Sequence, residues 1–135
     1  MDSNRKTLYT AFRHDIANNK WESMPELKQA RDRASACSLG GKVYVFAGYG
    51  WNMCLNSIEK LNNPNLPKDQ ASWQLIEPPK DILSPHSYAI VAPLNRTEIV
   101  ILGGFDDKNY PHNNIVLFNI RFEAHLLPSP AKIIF

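Results

Sequence analysis

Few residues in this 135-residue chain have the type and spacing that chemistry requires. Asp106 and Asp107 are neighbouring carboxylates in a turn, where such side chains splay to water instead of converging on a metal pair. His14, His86, His112 and His125 are scattered without ligand spacing. Cys37 lies in a run that reads as a strand and behaves as a small hydrophobe. Cys54 lies on a loop with no base beside it in sequence, which argues against a nucleophile. No catalytic residue, metal ligand or cofactor is therefore assigned. The remaining residue types suit recognition. Tyr49, Trp51 and Met53 gather between Gly48 and Asn56, with Gly50 and Asn52 among them, and aromatics so placed favour contact with proteins. Arg31 is assigned to an acidic feature of a partner, and Arg33, nearer the following strand, to pairing within the fold.

Composition narrows the class. Hydrophobic residues make up 44% of the chain and charged residues 21%, which is globular and not disordered. A net charge of +2, with no cluster of Lys and Arg, argues against nucleic acid and anionic lipid. The polar start Met1-Asp2-Ser3-Asn4-Arg5-Lys6 has no apolar stretch behind it, so no signal peptide is expected. No run reaches the roughly 18 to 20 apolar residues that cross a bilayer. Two cysteines without metal or disulfide patterning fit a reducing, cytoplasmic location. The triplet Asn95-Arg96-Thr97 is a glycosylation pattern without a secretory signal to use it.

Internal repetition organises the rest. Trp21-Glu22-Ser23-Met24-Pro25 is echoed by Trp73-Gln74-Leu75-Ile76-Glu77-Pro78. Val43 to Gly48 is echoed by Ile99 to Gly104, and Asn56 to Asn62 by Asn113 to Asn119. Three motifs recur in one order at an offset of roughly fifty to sixty residues, which marks a repeat architecture. Within the first copy, Ala34 to Leu39 ends in the hairpin signal Gly40-Gly41. Strands follow over Val43 to Ala47, Ile58 to Leu61 (with a polar edge) and Ser72 to Ile76. The second copy predicts strands over Ser87 to Leu94, Glu98 to Leu102, Ile115 to Phe122 and Ala131 to Phe135. Thr7 to Phe12 and the strand at Trp21 read as the last two strands of a preceding unit. Ten prolines and no long 3.6-residue period exclude substantial helix, and Glu22 to Arg33 reads as a loop.

Four antiparallel strands per repeat describe a propeller blade. In particular, Arg31-Asp32-Arg33-Ala34-Ser35-Ala36-Cys37, Leu39, Gly41, Val43-Tyr44-Val45-Phe46-Ala47-Gly48, Asn56-Ser57-Ile58-Glu59 and Trp73 resemble the kelch family. The second copy matches through Gly103-Gly104, Asn113-Asn114-Ile115 and Phe118. It departs from the pattern at Leu83-Ser84-Pro85-His86, where the family has Arg, and at Val100, where it has Tyr. The first copy has Ala47-Gly48 in place of Gly-Gly. The resemblance implies an all-β chain of antiparallel four-stranded kelch blades, an incomplete β-propeller. Residues 1–24 would be the last strands of a preceding blade, 25–76 the first kelch repeat, and 77–135 a second, degenerate one. Trp21, Arg33, Gly41, Tyr44, Gly48, Trp73, Gly103 and Gly104 are then structural repeat positions, with Trp21 and Trp73 binding blade to blade.

In such a blade the loops 24–33 and 49–55 emerge on one rim, as do 77–85 and 105–112. Arg31, Tyr49, Trp51, Asn52, Asp106 and Asp107 become the candidate partner-binding set, although Trp51 folding back onto its blade is an equally open reading. The function expected is a protein–protein interaction scaffold belonging to a larger propeller, without catalysis or cofactor. A fragment of a metal- or sugar-processing propeller enzyme, and a nonfunctional truncation, are the alternatives. Other proteins are the expected partners, and two uncovered blade faces allow self-association.

Overall fold

Strand-forming runs and the turn residues between them set the element order. The computed structural model describes residues 6–78, 80, 83–121 and 126–128. Strands β1 (Ala11–Asp15) and β2 (Lys20–Met24) form a hairpin in which Trp21 lies opposite His14. Strands β3 (Ser35–Leu39), β4 (Lys42–Phe46), β5 (Ile58–Asn62) and β6 (Ser72–Ile76) make one antiparallel sheet in sequential order. Strands β7 (Ile90–Pro93), β8 (Glu98–Leu102), β9 (Ile115–Asn119) and β10 (Leu126–Pro128) make a second sheet of the same connectivity. The described chain is all-β apart from one short 3₁₀ turn at Lys68–Gln70, and its sheets match incomplete blades.

Differences from the expected strands have local causes. β7 is shorter than Ser87 to Leu94 because Tyr88 takes a left-handed φ of 59° and Ser87 pairs instead with Phe105. The first hairpin begins at Ala11; before it, the carbonyls of Leu8 and Tyr9 accept from the N–H groups of Arg31 and Leu27, tying this stretch to the loop after β2. The expected strand Ala131 to Phe135 lies outside the described residues, and the strand expected to run to Phe122 stops at Asn119, because the chain turns at Ile120 and Arg121 with the Arg121 N–H donating to Asn119 Oδ1. The fourth strand of the second sheet falls instead at Leu126–Pro128.

The two sheets bury one core between them. Tyr44, Phe46, Ile58 and Ile76 of the first meet Ile99, Ile101, Val116 and Phe118 of the second. Phe118 contacts both Tyr44 and Phe46 edge-on, at ring separations of 5.5 and 5.6 Å. Each such side chain, fully buried, contributes about 1.5–3 kcal/mol, and an edge-on aromatic pair adds about 0.5–1.5 kcal/mol. A smaller core holds Met24 of the hairpin against Leu61, Ala71 and Trp73 of the first sheet. The Trp73 indole N–H donates to the Pro25 carbonyl at 2.8 Å, so one residue both packs and fixes the loop.

Trp21 departs from its expected role. It is 69% exposed and stacks on His14 at 4.7 Å. Alternation explains this: Ala11 and Met24 face Trp73, and Trp21, an odd number of residues from Met24, faces the other way. The polar edge expected on β5 is also overturned, because Glu59 and Lys60 are buried.

Gly48 and Gly104 hold the same place in the two repeats, at φ of 96° and 95°. A Cβ on Gly48 would lie 2.6 Å from the Asp32 carbonyl oxygen, and one on Gly104 would lie 2.7 Å from that of Ser87. Both positions need glycine twice over, for φ and for space.

Candidate functional site

The loops at one end of both sheets are locked together by backbone bonds, and the lock is the same in each repeat. Asp32 and Tyr49 exchange N–H···O bonds of 2.9 and 2.7 Å, and Ser87 and Phe105 exchange two of 2.9 Å. Further bonds cross from one repeat to the other. The Gly48 N–H donates to the His86 carbonyl at 2.9 Å, the His86 N–H to Leu55 at 3.1 Å, and the Tyr88 N–H to Arg33 at 3.0 Å. This rigid rim carries the candidate residues.

The two arginines have exchanged their expected places. Arg31, assigned to a partner, has a side chain only 1% exposed. Its Nη1 donates to the Ala47 and Ser57 carbonyls at 2.8 and 3.1 Å, and its Nη2 to Ser57 Oγ at 3.0 Å and Glu59 Oε2 at 2.8 Å. Glu59 Oε2 also accepts from the Gln29 N–H at 3.2 Å. Burial pushes the Arg31 guanidinium below its ordinary range while Glu59 opposes that shift. Arg31 thus ties the loop after β2 to β5 and presents nothing to a partner.

Arg33, assigned to the interior, is the rim residue. Its side chain is 42% exposed, with the guanidinium carbon 5.2 Å from the Tyr49 ring centre and 5.5 Å from that of Tyr88. Its Nε lies 3.4 Å from Asp32 Oδ1. A cation between two tyrosine faces is held by their quadrupoles while its edge stays open to a ligand. The physical reason for the exchange is the left-handed φ of 52° at Arg33. In an extended chain positions 31 and 33 share a face; the turn at Arg33 breaks that alternation.

Trp51 is 68% exposed and touches the edge of Tyr9 at 5.9 Å. It neither folds into the sheet nor stands alone, and two open grooves of about 610 and 210 Å³ run along its ring. Asn52 and Met53 are exposed beside it, and Gly50 donates to the Met53 carbonyl to close the turn. Asp106 and Asp107 are open to water, as expected of a turn, and also hold neighbouring backbone. Asp106 Oδ1 accepts from the N–H groups of Lys108 and Tyr110 at 2.8 and 2.9 Å, bonds that lower its pKa, and Asp107 Oδ1 accepts from the Cys54 N–H at 2.6 Å. These carboxylates shape loops and join the two repeats at the rim. Cys54, expected on an open loop, is buried, and burial raises its thiol pKa, which disfavours the reactive thiolate.

Sequence reasoning did not single out Tyr9, Tyr88, Phe105 and Tyr110. Tyr88, Phe105 and Tyr110 are exposed on or beside the rim. Tyr88 was findable, since it holds in the second repeat the position Arg33 holds in the first, with the same sign of φ. The structural positions Tyr44, Gly41, Trp73 and Gly103 lie in or beside the sheets. Among the described residues, no group of three or more His, Cys, Asp or Glu is placed to hold a metal, and no helix is long and apolar enough to cross a membrane.

Known proteins locate the repeat. The kelch motif matches residues 30–62, from the loop carrying Arg31 to the end of β5. Kelch-like protein 33 of Homo sapiens is 35% identical over 60 residues, a stretch covering 44% of this chain and 11% of that relative. With the blade geometry already described, these matches support the reading of the chain as a partial kelch-repeat protein.

Proposed function

We propose that the chain is a protein-interaction repeat domain whose binding face is the rim around Arg33 and Trp51. The observation that carries this reading is the placement of Arg33, half-exposed between Tyr49 and Tyr88, on loops locked by backbone bonds from both repeats. Arginine, tyrosine and tryptophan are enriched in protein hot spots because each joins a large contact area to a polar tip, the two aromatics at small entropic cost. The rigid scaffold avoids the ordering cost that a mobile loop would incur on binding. Of the residues first assigned to a partner, Tyr49, Trp51 and Asn52 remain in this face. Arg33 replaces Arg31, and Asp106 and Asp107 hold the backbone of the neighbouring loops. Residues 25–76 and 77–135 act as the two kelch repeats, with 1–24 contributing the outer strands of a preceding blade. The proposed role is non-enzymatic, in a reducing cytoplasmic setting that suits two free thiols. Membership of a larger propeller is supported by outer faces that expose Phe12 and Trp21 on the hairpin and Ile90 on β7.

The test is capture from native extract, with the chain as bait and retained proteins identified by mass spectrometry. The double variant Arg33→Ala/Trp51→Ala should lose a specific partner by tenfold or more while its unfolding midpoint stays within a few degrees of the parent's. Unchanged retention, or loss matched by lost stability, would sink the proposal.

A further inference from the structure

The second repeat lacks an arginine at the position of Arg31, and the structure identifies its substitute. Asp32 and Ser87 make the same backbone exchange with Tyr49 and Phe105, so His86 is the counterpart of Arg31. The strand registers make Asn114 the counterpart of Ser57 and Val116 that of Glu59. In the first repeat this site is filled by a charged pair; in the second it holds one imidazole, 2% exposed. His86 Nδ1 lies 2.7 Å from the Ser84 carbonyl, which can only accept, so Nδ1 carries the proton and Nε2 presents a lone pair. Nε2 is buried without a protein partner. The His86 side chain lines a small cavity with room for about one water molecule, about 10 Å³, walled by Leu83, Ser84, Ile101, Asn114 and Val116 with His112 beside it.

His86 also sits on the seam between the repeats. Its carbonyl accepts from Gly48, and its N–H donates to Leu55. We infer that His86 is an acid-sensitive latch: neutral, it closes the second kelch repeat onto the first, and protonated, it loosens that seam.

The charges around it give the direction. Where Glu59 faces Arg31, Val116 lines the cavity with His86, so among the described residues no carboxylate is placed there to receive an imidazolium. Among the described residues, His112 is the titratable group packed against it, at a ring separation of 5.6 Å, and it opposes a positive charge on His86. Asp106, in the adjacent turn, is near enough for His112 to lower its pKa, after the N–H bonds from Tyr110 and Lys108. The other cavity walls carry no ionisable group. Burial, more than His112, lowers the His86 pKa. A group with a depressed folded value contributes its stability above the unfolded value and loses it as pH falls through the folded one. The seam is therefore closed at neutral pH and weakens on acidification below the ordinary histidine range.

The experiment is hydrogen exchange of the full chain at pH 7.5 and 5.5, corrected for the intrinsic pH dependence, read at the Gly48 and His86 amides. Chemical unfolding is followed across the same range. Protection at both amides should fall on acidification, and the folded-to-unfolded ratio should drop by up to about tenfold per pH unit. Transplanting the first repeat's pair, with His86→Arg and Val116→Glu together, should flatten both responses. If that variant fails to fold, His86→Gln provides the second reading and should also remove the acid response. An undiminished response in a folded His86 variant, or its disappearance in His112→Gln with His86 intact, overturns the inference. So does equal protection of the two amides at both pH values.

Discussion

Replacing Arg31 with methionine separates the two arginines by their energetics. The guanidinium and the Glu59 carboxylate are both buried, 2.8 Å apart, and the carboxylate has two further donors in Gln29 N–H and Lys28 N–H. Arg31→Met keeps much of the side-chain volume but leaves a buried carboxylate without its cation. Breaking such a pair from one side costs about 3–5 kcal/mol. A domain of this size holds about 5–15 kcal/mol in total, so the variant stays folded but near its limit. With a urea dependence of about 1–3 kcal/mol per molar, the midpoint should fall by roughly 1–5 M. Glu59→Met should cost a similar amount, and the double variant should cost less than the sum by about 2 kcal/mol, since each single change strands the opposite charge of the pair and the double variant strands neither. Arg33→Met, two residues along, should shift stability by no more than about 0.5 kcal/mol. Urea unfolding followed by tryptophan fluorescence measures all four. A cost below about 1 kcal/mol for Arg31→Met, or additive single costs, would refute the structural role given to this pair.

Two further outcomes follow from geometry. Gly48→Ala places a Cβ 2.6 Å from a backbone carbonyl at a φ of 96°, whereas Gly41→Ala, at a φ of 73°, meets nothing within 4 Å. Gly41→Ala should cost about 1 kcal/mol from the left-handed conformation alone, and Gly48→Ala clearly more, both read as urea midpoints. The exposed Phe12 and Trp21 face should also drive association of the isolated chain. Sedimentation velocity should therefore give a concentration-dependent mass that Trp21→Ser reduces, and a monomer at all concentrations would remove self-association from the reading.

The sheet strands were legible because their signals are local. Gly40-Gly41 marks one hairpin, and the apolar runs at Val43 and Ile99 mark inner strands wherever they occur. The repeat then placed the loops on one rim, because antiparallel strands of equal count leave the sheet on equivalent sides. What the sequence could not reveal was which side chains turn inward along those loops. Arg31 and Arg33 are the same residue type two positions apart, and an alternation rule treats them alike. One left-handed residue separates their fates, and nothing in the composition of Arg-Asp-Arg announces it. Glu59 failed for the same reason in reverse: a glutamate on a strand reads as an exposed edge unless its buried cation is known.

That dependence on pairing explains how the second repeat keeps the backbone of the first after losing its charged pair. The exchange of N–H···O bonds between Ser87 and Phe105 uses no side chain, and neither does the seam from Gly48 to His86 to Leu55. Positions 86 and 116 were thus free to change together, provided that no single charge was left behind, and a histidine sharing its cavity with a valine meets that condition while it stays neutral. The rim residues face no such coupling. Arg33 in one repeat and Tyr88 in the other occupy the same left-handed position with different chemistry, and the blade beneath them is indifferent to which is present. The backbone lock thus sets the geometry of the rim, while its exposed side chains are left to set what it recognises.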